Sequence, residues 1–235
     1  MANYKFAIPF YLKKEGGLSR AATDSASRNP SPCVIRGVTG WHTNKGVTWG
    51  SFTGNAGKVG YSPSCGNFAA MPQSIWQGIF KKSYWNFWDS DSIPYQSIAD
   101  FMTWSVWGSG GGSFSRGTGS QGFLKRFVQS QGYSPQNKSE IRAALMHMAK
   151  RNEKATWLKM IQARRDFYVR LNQPANIRGW NNALDKYVKW GDEHYSFSRI
   201  NWKLIAWIGI PAVLIGSAAY LYKTEVYDKR RSIAP

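Results

Sequence analysis

Leu204 to Tyr222 reads LIAWIGIPAVLIGSAAYLY, nineteen residues without a Lys, Arg, Asp, Glu or His, bracketed by Lys203 and Lys223. At about 1.5 Å per residue, a helix of that length reaches about 28 Å, the thickness of a bilayer's hydrocarbon layer. The stretch therefore predicts one C-terminal transmembrane helix over 202–223, with a polar tail over 224–235. Trp202 and Trp207 at one end and Tyr220, Tyr222 and Tyr227 at the other are the aromatics expected at membrane interfaces. Ala206, Gly209, Ala212, Gly216 and Ala219 recur at helical spacing, a stripe of small residues that lets a second membrane helix approach closely. Pro211 allows a kink near the centre. Lys203, Lys223 and Arg230 are placed to meet anionic lipid headgroups, cardiolipin being the expected lipid.

Outward from the span, the composition is basic and aromatic. There are 31 Lys plus Arg against 13 Asp plus Glu, a net charge of +18, and no acidic residue between Asp24 and Asp89. Such a chain calls for an acidic partner: nucleic acid, anionic lipid or an acidic protein surface. Twelve Trp, twelve Tyr and twelve Phe accompany 23 Gly, a pairing that suits a chain laid over a neighbour's surface. The N-terminus lacks the uninterrupted apolar core and small-residue cleavage site of a secretory signal. Cys33 and Cys65 have no zinc-ligand spacing around them. Two unlinked thiols are the first reading, and a disulfide closing the glycine-rich loop between them is the second.

Going back along the chain, residues 1–75 show neither a helical nor a strand period. The short apolar patch Phe6 to Leu12 is followed by a glycine pair at Gly16, NPSP from Asn29, and a long Gly/Ser/Thr/Asn stretch, so an extended, irregular basic segment is expected. Residues 76–107 are crowded with aromatics. Short helices are expected there, one of them capped by Ser92 with Pro94 in its first turn. A local core, the bilayer interface or a neighbouring protein could each cover them, and Trp76, Trp85, Trp88, Trp104 and Trp107 are assigned as interface aromatics. Residues 108–136 read as a Gly/Ser-rich loop. From Asn137, with Glu140 completing a capping box, to Pro174 there is no glycine or proline, which predicts one long basic amphipathic helix over 137–173. A shorter helix and connector, with Leu184, Tyr187 and Val188 inward, fill 180–201. The fold class is thus mainly α with long irregular extensions.

Chemistry is sparse by motif. His42, His147 and His194 lie far apart in sequence and read as surface or packing histidines. Asp89 and Asp91 read as turn and cap residues. GSGGGS after Gly108 lacks the lysine of a phosphate loop, and no HExxH or GxSxG occurs. No catalytic, cofactor-binding or metal residue is assigned, no cofactor is expected, and the chain is read as not an enzyme. At the level of class it resembles the single-span supernumerary subunits of mitochondrial oxidative-phosphorylation complexes. That resemblance implies a non-catalytic accessory subunit in the mitochondrial inner membrane, with the bulk of the chain on the matrix side. Its implied role is to clamp the subunits of a respiratory complex or supercomplex and to bind lipid. A subunit of ATP synthase and a membrane-tethered nucleic-acid or ribosome binder are the alternatives; no small-molecule substrate is expected.

Overall fold

The first apolar run of the chain forms helix α1, Ile8–Lys14, with Pro9 in the first turn, where a missing N–H costs nothing. Ala7, Ile8, Phe10 and Tyr11 are buried. The computed structural model describes residues 1–197 apart from Glu15 and Thr23. After α1 come three short antiparallel strands, β1 (Leu18–Ser19), β2 (Thr43–Asn44) and β3 (Val47–Thr48), in the order β1-β2-β3. Leu18 pairs with Asn44 and Ser19 with Thr43; Thr43 then pairs with Thr48 and Asn44 with Val47. Lys45 (φ 47) and Gly46 (φ 75) make the two-residue turn between β2 and β3. Positive φ at both positions matches the right-handed twist of the strands, and glycine meets that demand at no steric cost.

Helices α2 (Trp49–Ala56), α3 (Cys65–Ala70) and α4 (Gln73–Ile79) follow, and α4 runs on into a π-helical turn at Phe80–Trp85. Helix α5, Gln96–Ser109, is the centre of the fold: every residue from Ser97 to Val106 is buried. Its apolar residues are spread around the helix, so it needs cover on all sides. Its polar side chains bond locally or to neighbours, Thr103 to Ala99 O at 2.9 Å and Ser97 to Glu153 Oε1 at 2.7 Å. The cover comes from α1, from the π turn and from three further helices, α6 (Gly119–Ser130), α8 (Glu153–Arg170) and α9 (Pro174–His194), while α7 (Lys138–Arg151) packs on α6 and α8.

Several expectations are corrected here. The N-terminal half is not irregular: it supplies a sheet, five helices and much of the core, including Val47, Phe52, Phe68 and Ile75. Order arises because distant segments are tied together. Cys33 and Cys65 are joined in a disulfide across a sequence separation of 32, with Cα atoms 5.4 Å apart. The long basic helix is two helices. Asn152 breaks it with extended backbone (φ −162, ψ 100) and caps α8 by accepting from Ala155 N at 2.9 Å. That side-chain bond replaces one the helix interior would have supplied. The Gly/Ser-rich loop is folded on itself, with Gly112 (φ 70) so close to the Thr118 carbonyl that a Cβ would sit 1.9 Å from it. Ser92 bonds to Asp89 O at 2.7 Å, and α5 starts later, with Tyr95 preceding it.

The expected span and its small-residue stripe, Ala206, Gly209, Ala212, Gly216 and Ala219, lie outside the described residues, as do Lys203, Lys223 and Arg230. Among the described residues no helix is long and apolar enough to cross a membrane. A fold class built on an irregular body hung from such a span is therefore replaced by a mainly helical body with its own core.

Candidate active site

Helix α1 is locked in the core by aromatic contacts. Phe10 lies 5.6 Å from Trp104 and 5.5 Å from Tyr187, and Tyr11 lies 4.8 Å from Phe80, ring to ring. The chain leaves this rigid helix at Lys14 and passes through Glu15, Gly16 and Gly17 into β1. Gly17 O accepts a hydrogen bond from Lys45 N at 3.3 Å, which ties the end of this link to the hairpin turn. A Cβ on either glycine would meet nothing within 4 Å among the described residues.

The sheet register places Ser19, Thr43 and Thr48 on one face and Leu18, Asn44 and Val47 on the other. The second face is the anchor: Val47 is fully buried, and Asn44 Nδ2 donates to Phe68 O at 2.7 Å and Ala69 O at 3.0 Å. The hairpin turn is clamped from the far side, by Lys45 Nζ donating to Met71 O and Trp76 Nε1 donating to Lys45 O, both at 2.9 Å. The first face therefore carries hydroxyls on a fixed support.

Asp24 lies beside that support. It accepts from Ala26 N at 2.9 Å through Oδ1, capping the 3-10 turn Ser25–Arg28, and its side chain remains 42% exposed. Its Oδ2 is 3.9 Å from Nδ1 of His42, a ring that is only 1% exposed. His42 Nδ1 is 2.9 Å from Thr43 Oγ1, and its Nε2 donates to Ala21 O at 3.2 Å.

Asp89, Asp91 and Asp100 are engaged in structure elsewhere in the body. Asp89 pairs with Arg142 and accepts from Ser92, and the Arg142 hydrogen bond holds its pKa below the usual carboxylate range. Asp91 accepts from Trp85 Nε1 at 2.8 Å. Asp100 is fully buried, receiving Gln96 Nε2 and Tyr195 Oη at 2.9 Å each, and burial pushes its pKa up to about 8. An enclosed carboxyl bonded in this way serves the core. A cavity of about 310 Å³ near Tyr133 and His147 lies in another part of the fold, and its one carboxylate, Glu140, completes the cap of α7. Among the described residues no cluster of three or more His, Cys, Asp or Glu could hold a metal ion.

The assigned interface aromatics are placed inside the chain's own core. Trp76 stacks on Phe80 at 5.1 Å, Trp85 and Trp88 donate to Asp91 and Ser120, and Trp104 packs on Tyr187 at 4.9 Å. Trp107 is half-buried, 4.7 Å from the Tyr84 ring. Aromatic density does show that cover is needed, but it does not say which segment gives it.

Comparison with known proteins bears on this site. Residues 8–110, from α1 through α5, match the model of the family glycosyl hydrolase 108. A solved structure described as that of Brucella abortus SagA is similar with a TM-score of 0.53 and 16% identity, over 83% of this chain and 96% of that chain; the likeness is one of fold. No curated protein matches the sequence.

These findings overturn the reading of the chain as a non-catalytic accessory subunit of a mitochondrial respiratory complex, and the resemblance that carried it. The match to a hydrolase family also corrects the expectation that the chain is not an enzyme and takes no substrate. The expected membrane-complex partners, the cardiolipin and the inner-membrane address fall with it. All rested on the apolar run at 204–222 and on basic charge, and basic charge serves equally to hold an anionic polymer. The sequence reading passed over Glu15 and Asp24, two carboxylates nine residues apart near the start of the matched stretch.

Proposed function

We propose that the chain is a glycoside hydrolase that cleaves peptidoglycan, with Glu15 as general acid and Asp24 as the partnering carboxylate. The observation that carries this reading is the census of carboxylates in the family-matched segment. Asp89, Asp91 and Asp100 are bound to partners in other parts of the body, Asp24 stands half-exposed beside the hydroxyl-bearing sheet face, and Glu15 precedes it by nine positions in the sequence. Glycosidic bond cleavage needs two carboxyl groups, one to protonate the leaving oxygen and one to assist attack at the anomeric carbon. In this reading Glu15 gives its proton to the bridging oxygen as the C–O bond breaks. Asp24 accepts a proton from the water that adds to the sugar, so that one water is consumed per bond cut.

Two further features support a cell-wall substrate. The +18 charge suits an anionic polymer meshwork. The Cys33–Cys65 disulfide suits an oxidising compartment outside the cytoplasm, where such a polymer is met. The test is release of soluble fragments from purified peptidoglycan. Glu15→Gln, which removes the acid and keeps the shape, should lower the rate by at least about 100-fold, within the range general acid catalysis supplies. Its thermal midpoint should stay unchanged. Full activity in Glu15→Gln would remove the assignment.

A further inference from the structure

The histidine beside Asp24 has no part in the scheme above. Resting on that hydrolase reading, we propose that His42 is a positioning residue that holds the Ala21–Asp24 segment against β2 and sets the direction of the Thr43 hydroxyl. Both ring nitrogens are used: Nε2 lies 3.2 Å from the Ala21 carbonyl oxygen and Nδ1 lies 2.9 Å from Thr43 Oγ1. A carbonyl oxygen only accepts, so Nε2 carries the proton. In the neutral ring Nδ1 is then an acceptor, and the Thr43 hydroxyl donates to it. The opposite tautomer would aim two lone pairs at each other across the Ala21 contact.

Three consequences follow from this tautomer. The ring joins two segments 21 residues apart in sequence, so that Asp24 keeps its distance from the sheet. The Thr43 proton is committed to the ring, so Oγ1 can only accept from a water, turning one O–H of that water toward the sheet. Nδ1 carries no proton to offer Asp24 Oδ2 at 3.9 Å, and that oxygen keeps its capacity to take a proton from the same water. At 1% exposure the imidazole touches no substrate itself; its effect passes through Thr43 and Asp24. Among the elements around the ring, Asp24 is the one charged group within ion-pair distance in the described residues.

The two bonds can be separated by substitution. The side-chain nitrogen of His42→Gln can stand near the Nε2 position and keep the Ala21 bond; the oxygen of His42→Asn can stand near Nδ1 and keep the Thr43 bond. His42→Ala loses both. Rates on purified peptidoglycan, taken per folded full-length chain, should show kcat of His42→Ala down by about 100-fold, the scale of a misplaced catalytic group, with KM little changed. Gln and Asn should each recover part of kcat. Nitrogen-15 NMR of the unmodified chain should show the ring protonated at Nε2, and Thr43→Val should move the Nδ1 signal. Wild-type kcat in His42→Ala, no recovery by either amide, or a ring protonated at Nδ1 would each overturn the assignment. An unmodified chain that cuts no peptidoglycan would instead overturn the hydrolase reading beneath it.

Discussion

The two parts of the described body reach order by different means. From α1 to α5 the chain is a succession of short pieces: strands of two residues and helices of six to eight before the fourteen of α5. They are held by individual links across long sequence separations: the disulfide, the Asn44 and Lys45 clamps on α3 and the turn after it, and the Trp76 indole on the hairpin. From α6 to α9 the chain is regular helix of twelve to twenty-one residues, stabilised by continuous apolar faces that include Leu145, Trp157, Ile161 and Leu184. The first part contains the proposed site. Short segments on specific ties can set polar groups at chosen positions, which a helix bundle does less freely.

Removing the disulfide strains this contrast most. Replacing both cysteines, Cys33→Ser with Cys65→Ser, frees a loop of 32 residues. On chain entropy it should cost about 4 kcal/mol of stability, read from denaturant midpoints. Hydrogen exchange should show the loss concentrated in β1–β3 and α3, with α7–α9 protected as before. A uniform loss across both parts would mean that they do not differ in the way described.

Asp100 tests the seam between the parts, since it joins α5 to Tyr195 beyond the end of α9. Its pKa is raised from 3.8 to about 8 because burial disfavours the charged form. The folded chain therefore holds a proton that the unfolded chain releases, and stability is full below about pH 4 and falls as the pH rises toward 8. Asp100→Asn keeps a neutral amide in place. It should match the parent near pH 4 and exceed it at pH 8 by on the order of a few kcal/mol. Thermal midpoints measured across that range should diverge steadily, and parallel curves would sink the prediction. Tyr187 and Tyr195, pushed further up by burial and then by the Asp100 charge, stay neutral throughout.

The smallest effect belongs to the helical part. Asn152→Ala removes the side-chain cap of α8 and should cost about 1 kcal/mol. The α7–α8 break should persist, because the two helices pack against each other on either side of it. A variant in which 138–170 fuses into one helix would show that the cap alone makes the corner.

Much of the helical part was legible. Asn137 and Glu140 bond reciprocally at the start of α7, and Leu184 and Tyr187 point inward from α9. Local rules carry such features, because a cap or a stripe is decided by residues within a turn or two. The break at Asn152 was not legible, since one asparagine in a run without glycine or proline does not by itself say whether it caps a new helix or lies inside one. The site was illegible for another reason. Glu15, Asp24, His42 and Thr43 are scattered over 29 positions. Nothing in their spacing has a period, and only the pairing of β1 with β2 brings the Ala21–Asp24 segment to His42.

By itself the sequence determined that the chain is basic, that its second half is helical, that the aromatic run from Trp76 to Trp107 had to be covered, and that 204–222 is apolar and uncharged. Those are properties of composition and of short-range pattern. Only the tertiary structure decided that the chain covers its own aromatics and that Cys33 meets Cys65. It also decided that one buried imidazole bridges the Ala21–Asp24 segment and a strand threonine. Each depends on contacts between residues far apart in the chain, and no local preference encodes which distant partner a side chain will find.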